Sequence, residues 1–131
     1  MKLRLSDIAH ARSGDKADSA DIGLFAWEPL GYALLAQHVG IEQVQIYFSH
    51  LWPDSNSSPT AASRVERYEL PNLLALKFVL RGALNGGAAS SLRSDNLGKT
   101  IGAQLLRMHI EVDDAQGAAA LRAAQEEINR F

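Results

Sequence analysis

Strand-like and helix-like patterns interleave irregularly along this chain, and that mixture predicts an α+β fold. Three observations carry the prediction. The short apolar run Ile22–Trp27, and Val65–Leu70 stopped by Pro71, have the length and bounding residues of strands. Other stretches place apolar residues three and four apart behind capping residues, as amphipathic helices do. The resulting order, β-β-α-α-β-α-β-α-α, lacks the strict alternation of a parallel sheet. It suits one antiparallel or mixed sheet of about four strands with helices packed on it. At 131 residues and 14.2 kDa the chain is one domain, able to bury roughly two-thirds of its unfolded surface.

The elements follow in order. Leu3, Leu5 and Ile8 read as a strand with imperfect alternation, and Ser13-Gly14-Asp15-Lys16 as a turn. Ile22–Trp27 reads as a buried strand, after which Pro29 suits the first turn of a helix. Leu30, Ala33, Leu34 and Gln37 follow at helical spacing, and Gly40 is placed to close that helix. Ile41–Leu51 fits both periods, and its freedom from Gly and Pro favours helix. Pro53–Ser63, with four Ser, two Pro and an Asn, reads as a polar loop. Val65–Leu70 is a strand stopped by Pro71. Asn72 is positioned to cap a helix with the stripe Leu73, Leu76, Val79/Leu80 and Ala83, which Asn85-Gly86-Gly87 would end. Ala88–Ser94 reads as a strand, and Asp95 or Asn96 caps a helix bearing Ile101, Leu105, Met108 and Val112. Asp113-Asp114 opens a last helix with Leu121, Ala124, Ile128 and Phe131 on one side. Its other side carries Arg122–Glu126 and Glu126–Arg130 at i,i+4.

Composition excludes several classes of function. Thirteen Lys plus Arg against fifteen Asp plus Glu give a net charge of −2, without the basic excess of a nucleic-acid binder. The absence of cysteine removes disulfides, thiolate nucleophiles, iron–sulfur clusters and cysteine zinc sites together. His10, His38, His50 and His109 have no metal-ligand spacing, so neither metal nor cofactor is expected. Met1–Asp15 lacks the apolar core of a signal peptide, and Lys77 breaks the best long apolar stretch, Leu73–Leu84. The expectation is a cytoplasmic protein with no membrane partner.

Polar residues concentrate in three places. Arg12 to Asp21 follows one expected strand and precedes another. There Gly14 would turn backbone N–H groups inward, while Arg12 and Lys16 neutralise an anion. The competing account is a solvated turn in which Asp15 bonds its own backbone. Arg81 to Lys99 offers Gly86 and Gly87 for close backbone approach, then Ser90, Ser91 and Arg93 as donors. Lys99 falls in a first helical turn, where a cation opposes the helix dipole unless an anion binds or it points to water. In Arg67–Leu73, Pro71 reads as punctuation and Arg67 and Glu69 share one side of a strand, where they can pair. The amide of Asn72 suits either a cap or a ligand. His10 and Ser13, three apart on a strand, would face opposite sides, which argues against a Ser–His dyad.

Taken together, A-R-S-G-D-K at 11–16, D-I-G at 21–23, R-Y-E-L-P-N-L at 67–73, F-V-L-R-G-A-L at 78–84 and S-L-R-S-D at 91–95 resemble one known pattern. It is that of the small C-terminal domain of the acyclic-terpene-utilisation protein A (AtuA-like) family, which also occurs as a free-standing chain. The resemblance covers roughly residues 3–112, which implies a domain at 1–112 and leaves 113–131 as a helical extension. It implies a ferredoxin-like α+β sandwich and a link to acyclic terpene or branched acyl-CoA catabolism. It assigns no reaction, and without cysteine the fold's name carries no cluster chemistry. The chain departs from the resembled pattern at Ala17 (usually Gly), Asp21 (Asn), Lys77 (Asn), Asn85 (Gly) and Ser94 (apolar).

Two expectations of function follow. In the first, the constellations converge on a small anionic ligand, a carboxylate or acyl-CoA, with a larger AtuA-like chain as candidate partner. Its expected binding residues are Arg12, Ser13, Gly14, Asp15, Lys16, Asn72, Arg81, Gly86, Gly87, Ser90, Ser91, Arg93 and Lys99. In the second, an exposed sheet or helix face mediates docking or homo-oligomer formation, and the motifs only fix turns.

Overall fold

A computed structural model of the chain describes residues 1–16, 18–52, 64–83 and 100–130. Its centre is a four-stranded antiparallel sheet in the order β2-β3-β5-β4. The strands are β2 (Ala9–Lys16), β3 (Ser19–Ala26), β4 (Val65–Leu70) and β5 (Ala75–Leu80). A short antiparallel ribbon, β1 (Lys2–Arg4) with β6 (His109–Glu111), lies apart from it. The helices are α1 (Pro29–His38), α2 (Ile41–Tyr47), α3 (residues 100–105) and α4 (Asp114–Ile128).

This order has a simple reading. β3 and β4 run parallel to each other with β5 between them, and α1 and α2 make the crossover, a split β-α-β unit. β2 holds the place beside β3 that the last strand of a ferredoxin-like β-α-β-β-α-β unit would take. The arrangement is α+β and ferredoxin-like, as the sequence predicts.

Strand alternation sorts the sheet into two faces. Ala20, Ile22, Leu24 and Ala26 of β3 are buried, as are Leu76, Phe78 and Leu80 of β5. These point at α1, which packs on both strands, and at a core that includes Phe48 and Leu35. Asp21, Gly23, Phe25 and Lys77 therefore face the other way, where no described helix covers the sheet. β4 is tied to the core side by Arg67, which donates from Nε to the Val39 carbonyl (3.0 Å) and from a terminal nitrogen to the Ala36 carbonyl (2.9 Å). Ala36 lies in the last turn of α1 and Val39 caps its end, where carbonyls have no helical partner. The expected Arg67–Glu69 pair forms at 2.7 Å.

Several expectations need correction. Ser13–Lys16 is not a turn but the end of β2, paired residue by residue with Ser19–Ile22. Backbone pairing on β3 wins over the local turn preference of Gly and Asp. The helix expected from Asn72 to Ala83 is replaced by a 3-10 turn, Pro71–Leu73, and strand β5. Leu74, at φ 53, reverses the chain there. Leu76, Phe78 and Leu80 satisfy the strand period as well as the helical stripe, and pairing on both sides decides it. Similarly, the helix carrying Ile101 and Leu105 stops at residue 105, and His109–Glu111 pairs with β1 instead. The first strand is also shorter than expected, since Leu5–Asp7 forms a 3-10 turn. Gly40 caps the start of α2 rather than closing α1.

Other readings hold. Pro29 begins α1, with Glu28 accepting from the Gly31 amide at 2.8 Å. Asp113 caps α4 by accepting from the Gln116 amide at 3.1 Å. The buried side of α4 is Gly117, Ala120 and Ala124, with Leu121 partly buried, whereas Ile128 is exposed. At the end of α4 Arg130 pairs with Glu127 at 3.6 Å rather than with Glu126, and at its start Asp114 pairs with the Met1 ammonium at 2.8 Å. Expectations for Ala17, Pro53–Ser63, Leu84–Lys99 and Phe131 lie outside the described residues. Among the described residues, no helix is long and apolar enough to cross a membrane.

Candidate functional site

Because Ser13–Lys16 is strand, its side chains alternate rather than converge. Arg12, Gly14 and Lys16 fall on the open face, and Ser13 and Asp15 on the other. The Ser13 hydroxyl accepts a hydrogen bond from the Gly102 amide at 3.0 Å, joining β2 to α3. A Cβ on Gly102 would lie 3.1 Å from that hydroxyl, so the approach is close. Arg81 lies just past β5, where its guanidinium pairs with Glu66, whose carboxylate also accepts from the Tyr68 hydroxyl. The Tyr68 bond, then Arg81, holds the Glu66 carboxyl below the usual range, and Glu66 pushes the Tyr68 phenol up. Asn72 is exposed in the 3-10 turn between β4 and β5. Gly86, Gly87, Ser90, Ser91, Arg93 and Lys99 lie outside the described residues.

What the fold assembles instead is a cleft of about 310 Å³ on the open face of the sheet. The register places Arg12 opposite Gly23, and Gly23 opposite Lys77. Two strand spacings thus separate the two cation-bearing positions, about 10 Å between Cα atoms. Asp21, two residues from Gly23 on β3, is the diagonal neighbour of both. Its carboxylate leans over Gly14, since a Cβ there would sit 3.4 Å from the Asp21 Oδ1. Among the described residues, Arg12, Lys77 and Asp21 make no ion pair with one another or with any other group.

The floor and one wall are apolar. The Phe25 ring folds back over Gly23, and a Cβ at residue 23 would lie 2.8 Å from the ring's Cε2. Glycine is what allows the ring to lie flat there. His10, paired with Phe25 across the strands, stacks beside it at 5.3 Å between centroids, with Trp27 beyond at 4.5 Å from His10. Partial desolvation by Phe25 and Trp27 holds the otherwise exposed His10 imidazole below its ordinary pKa, favouring the neutral ring. Leu70, Leu73 and Ala75 complete the apolar side.

Of the expected binding residues, Arg12, Ser13 and Gly14 line this cleft, and Gly23, Phe25 and Lys77 join them from outside the expected set. The signal for Gly23 and Phe25 was present: with Ile22 and Leu24 buried, strand alternation places their neighbours together. Lys77 was hidden by the helical reading of its segment. Asp21 and Lys77, two departures from the resembled pattern, prove to be diagonal neighbours in the cleft. Chemically, the site offers two cations, one carboxylate and an apolar shelf. Among the described residues, no cluster of His, Asp and Glu could hold a metal ion.

Residues 3–111 match the AtuA ferredoxin-like domain. The chain belongs to that family. The cleft lies wholly within the matched span, while α4 lies beyond it. No curated protein and no solved structure matches this AtuA-family chain.

Proposed function

We propose that this AtuA-family chain is a ligand-binding unit whose open sheet face holds a small anionic acyl compound, a carboxylate or an acyl-CoA. The observation that supports it is the pairing of Arg12 and Lys77 on either side of Gly23, over an apolar floor and wall. Two unpaired cations offer a charge-assisted grip on a carboxylate or phosphate. Phe25, Leu70 and Leu73 shelter a short branched chain from water, at about 25 cal/mol per Å² buried. The family resemblance supplies the ligand class, compounds of acyclic terpene or branched acyl-CoA breakdown, and a larger AtuA-like chain is the partner to seek by co-purification.

A thermal-shift series tests this reading. Branched carboxylic acids and acyl-CoAs raise the melting temperature of the parent by mass action and leave Arg12→Ala and Lys77→Ala unmoved. Equal shifts in parent and variants would remove the site.

A second reading has its own support. Tyr68, Leu70 and Leu73 are exposed large side chains on or beside the same face, as an interaction surface would present. On that reading the chain self-associates without ligand, light scattering gives a mass above 14.2 kDa, and Leu73→Asp restores the monomer.

A further inference from the structure

We propose that Asp21 makes the cleft selective for a carboxylate ligand that also carries a hydroxyl group near its acid end. This rests on the binding reading above and adds the substrate class.

A cleft for a plain anion gains nothing from a carboxylate within reach, since like charges repel. Asp21 nevertheless occupies the position diagonal to both Arg12 and Lys77, about 7–8 Å from each between Cα atoms. No direct bond among the described residues accounts for it. It sits within β3, not at a cap or a turn, and among the described residues its carboxylate makes no hydrogen bond or ion pair. It is half-buried in the lining of the cleft and leans over Gly14. Any group facing an ionised carboxylate must donate, because the carboxylate only accepts.

Charge separates the two donors a small metabolite offers. Among the cleft-lining residues, Arg12, Lys77 and Asp21 sum to a single positive charge, which a ligand of net charge −1 balances, and Lys16, on the same face beyond the lining, strengthens the preference for an anion. A hydroxy acid has that charge. An amino acid does not, and its ammonium would be placed beside Arg12 and Lys77. The arrangement fits a carboxylate between the cations, a hydroxyl donating to Asp21, and a branched tail over Phe25 toward Leu70 and Leu73.

The test compares 4-methylpentanoate with 3-hydroxy-4-methylpentanoate by NMR titration of the whole chain, in parent, Asp21→Asn, Asp21→Ala and Lys77→Ala. The parent prefers the hydroxy acid by about tenfold, the size of one charge-assisted hydrogen bond in a half-open site. Asp21→Ala abolishes the preference and binds the plain acid more tightly than the parent does. Asp21→Asn, nearly the same shape, leaves the fold intact and lowers the preference. If the parent binds both acids equally and Lys77→Ala loses both, the selectivity is overturned while the binding site stands. If neither acid perturbs the cleft, the binding reading fails and the selectivity with it.

Discussion

Replacing Arg67 with alanine tests how the sheet is held to its helical layer. The side chain is 15% exposed and donates three bonds, to the carbonyls of Val39 and Ala36 and, at 2.7 Å, to the Glu69 carboxylate. The two carbonyl acceptors close the end of α1 and also lie at the negative pole of its dipole. Hydrogen bonds from a charged donor contribute about 1.5–3 kcal/mol each, so the pair sets an upper range of roughly 3–6 kcal/mol. Water reaches a helix end once the side chain is gone, which reduces that figure. The Glu69 pair, whose acid is 56% exposed, adds less than about 1 kcal/mol. The expected loss for Arg67→Ala is about 3 kcal/mol, a melting-point drop of roughly 10 °C for a domain of this size. Urea unfolding followed by circular dichroism measures it. Arg67→Lys, with no planar fork, should lose about half as much, and Glu69→Gln less than about 0.5 kcal/mol. A loss below about 1 kcal/mol for Arg67→Ala, or an equal loss for Glu69→Gln, would show that the two carbonyl bonds do not hold β4 to α1.

Three further outcomes are expected. A Cβ at Gly117 would lie 2.4 Å from the Met1 sulfur and 2.8 Å from Val112 Cγ2. Gly117→Ala should therefore cost about 1–2 kcal/mol despite its better helix propensity, and adding Val112→Ala should recover part of its effect. Gly23→Ala should lift the Phe25 ring from the strand, changing the ring-current shifts of His10 while stability stays within about 1 kcal/mol. Because partial desolvation lowers the His10 pKa, the unfolded chain takes up that proton first as pH falls. Stability should decline below the ordinary histidine range, near 6.5. His10→Gln should decline less between pH 7.5 and 5.5, and parallel curves would remove the effect.

Where one pattern dominated, the sequence was enough to place an element. Ile22 and Leu24 pair with Phe78 and Leu76 as a buried strand should, and Pro29 and Asp113 open helices as their backbone and side-chain chemistry predicts. The failures share one cause. Leu73, Leu76, Leu80 and Ala83 satisfy helical spacing, while Leu76, Phe78 and Leu80 satisfy the strand period, and nothing local chooses between them. The choice comes from Gly23 on one side, a pairing partner far away in sequence, and Tyr68 on the other, across the turn at Pro71–Leu73. Once β5 is a strand, Lys77 swings to the open face and a site appears that the helical reading could not contain. The Ser13–Lys16 segment repeats the lesson. Its turn chemistry is real, but eight paired positions with β3 outweigh it, and alternation then separates Ser13 and Asp15 from Arg12.

The proposed binding function rests on the open face of the sheet, so the decisive measurement is where a ligand lands. Titrating 3-hydroxy-4-methylpentanoate into isotope-labelled protein reports it through the backbone amides. Shifts are expected at Arg12, Asp21, Gly23 and Lys77, saturating together and disappearing in Lys77→Ala. Shifts confined to the apolar groove between α1 and α4, at Leu30, Ala33 and Ala119, would contradict the proposed site.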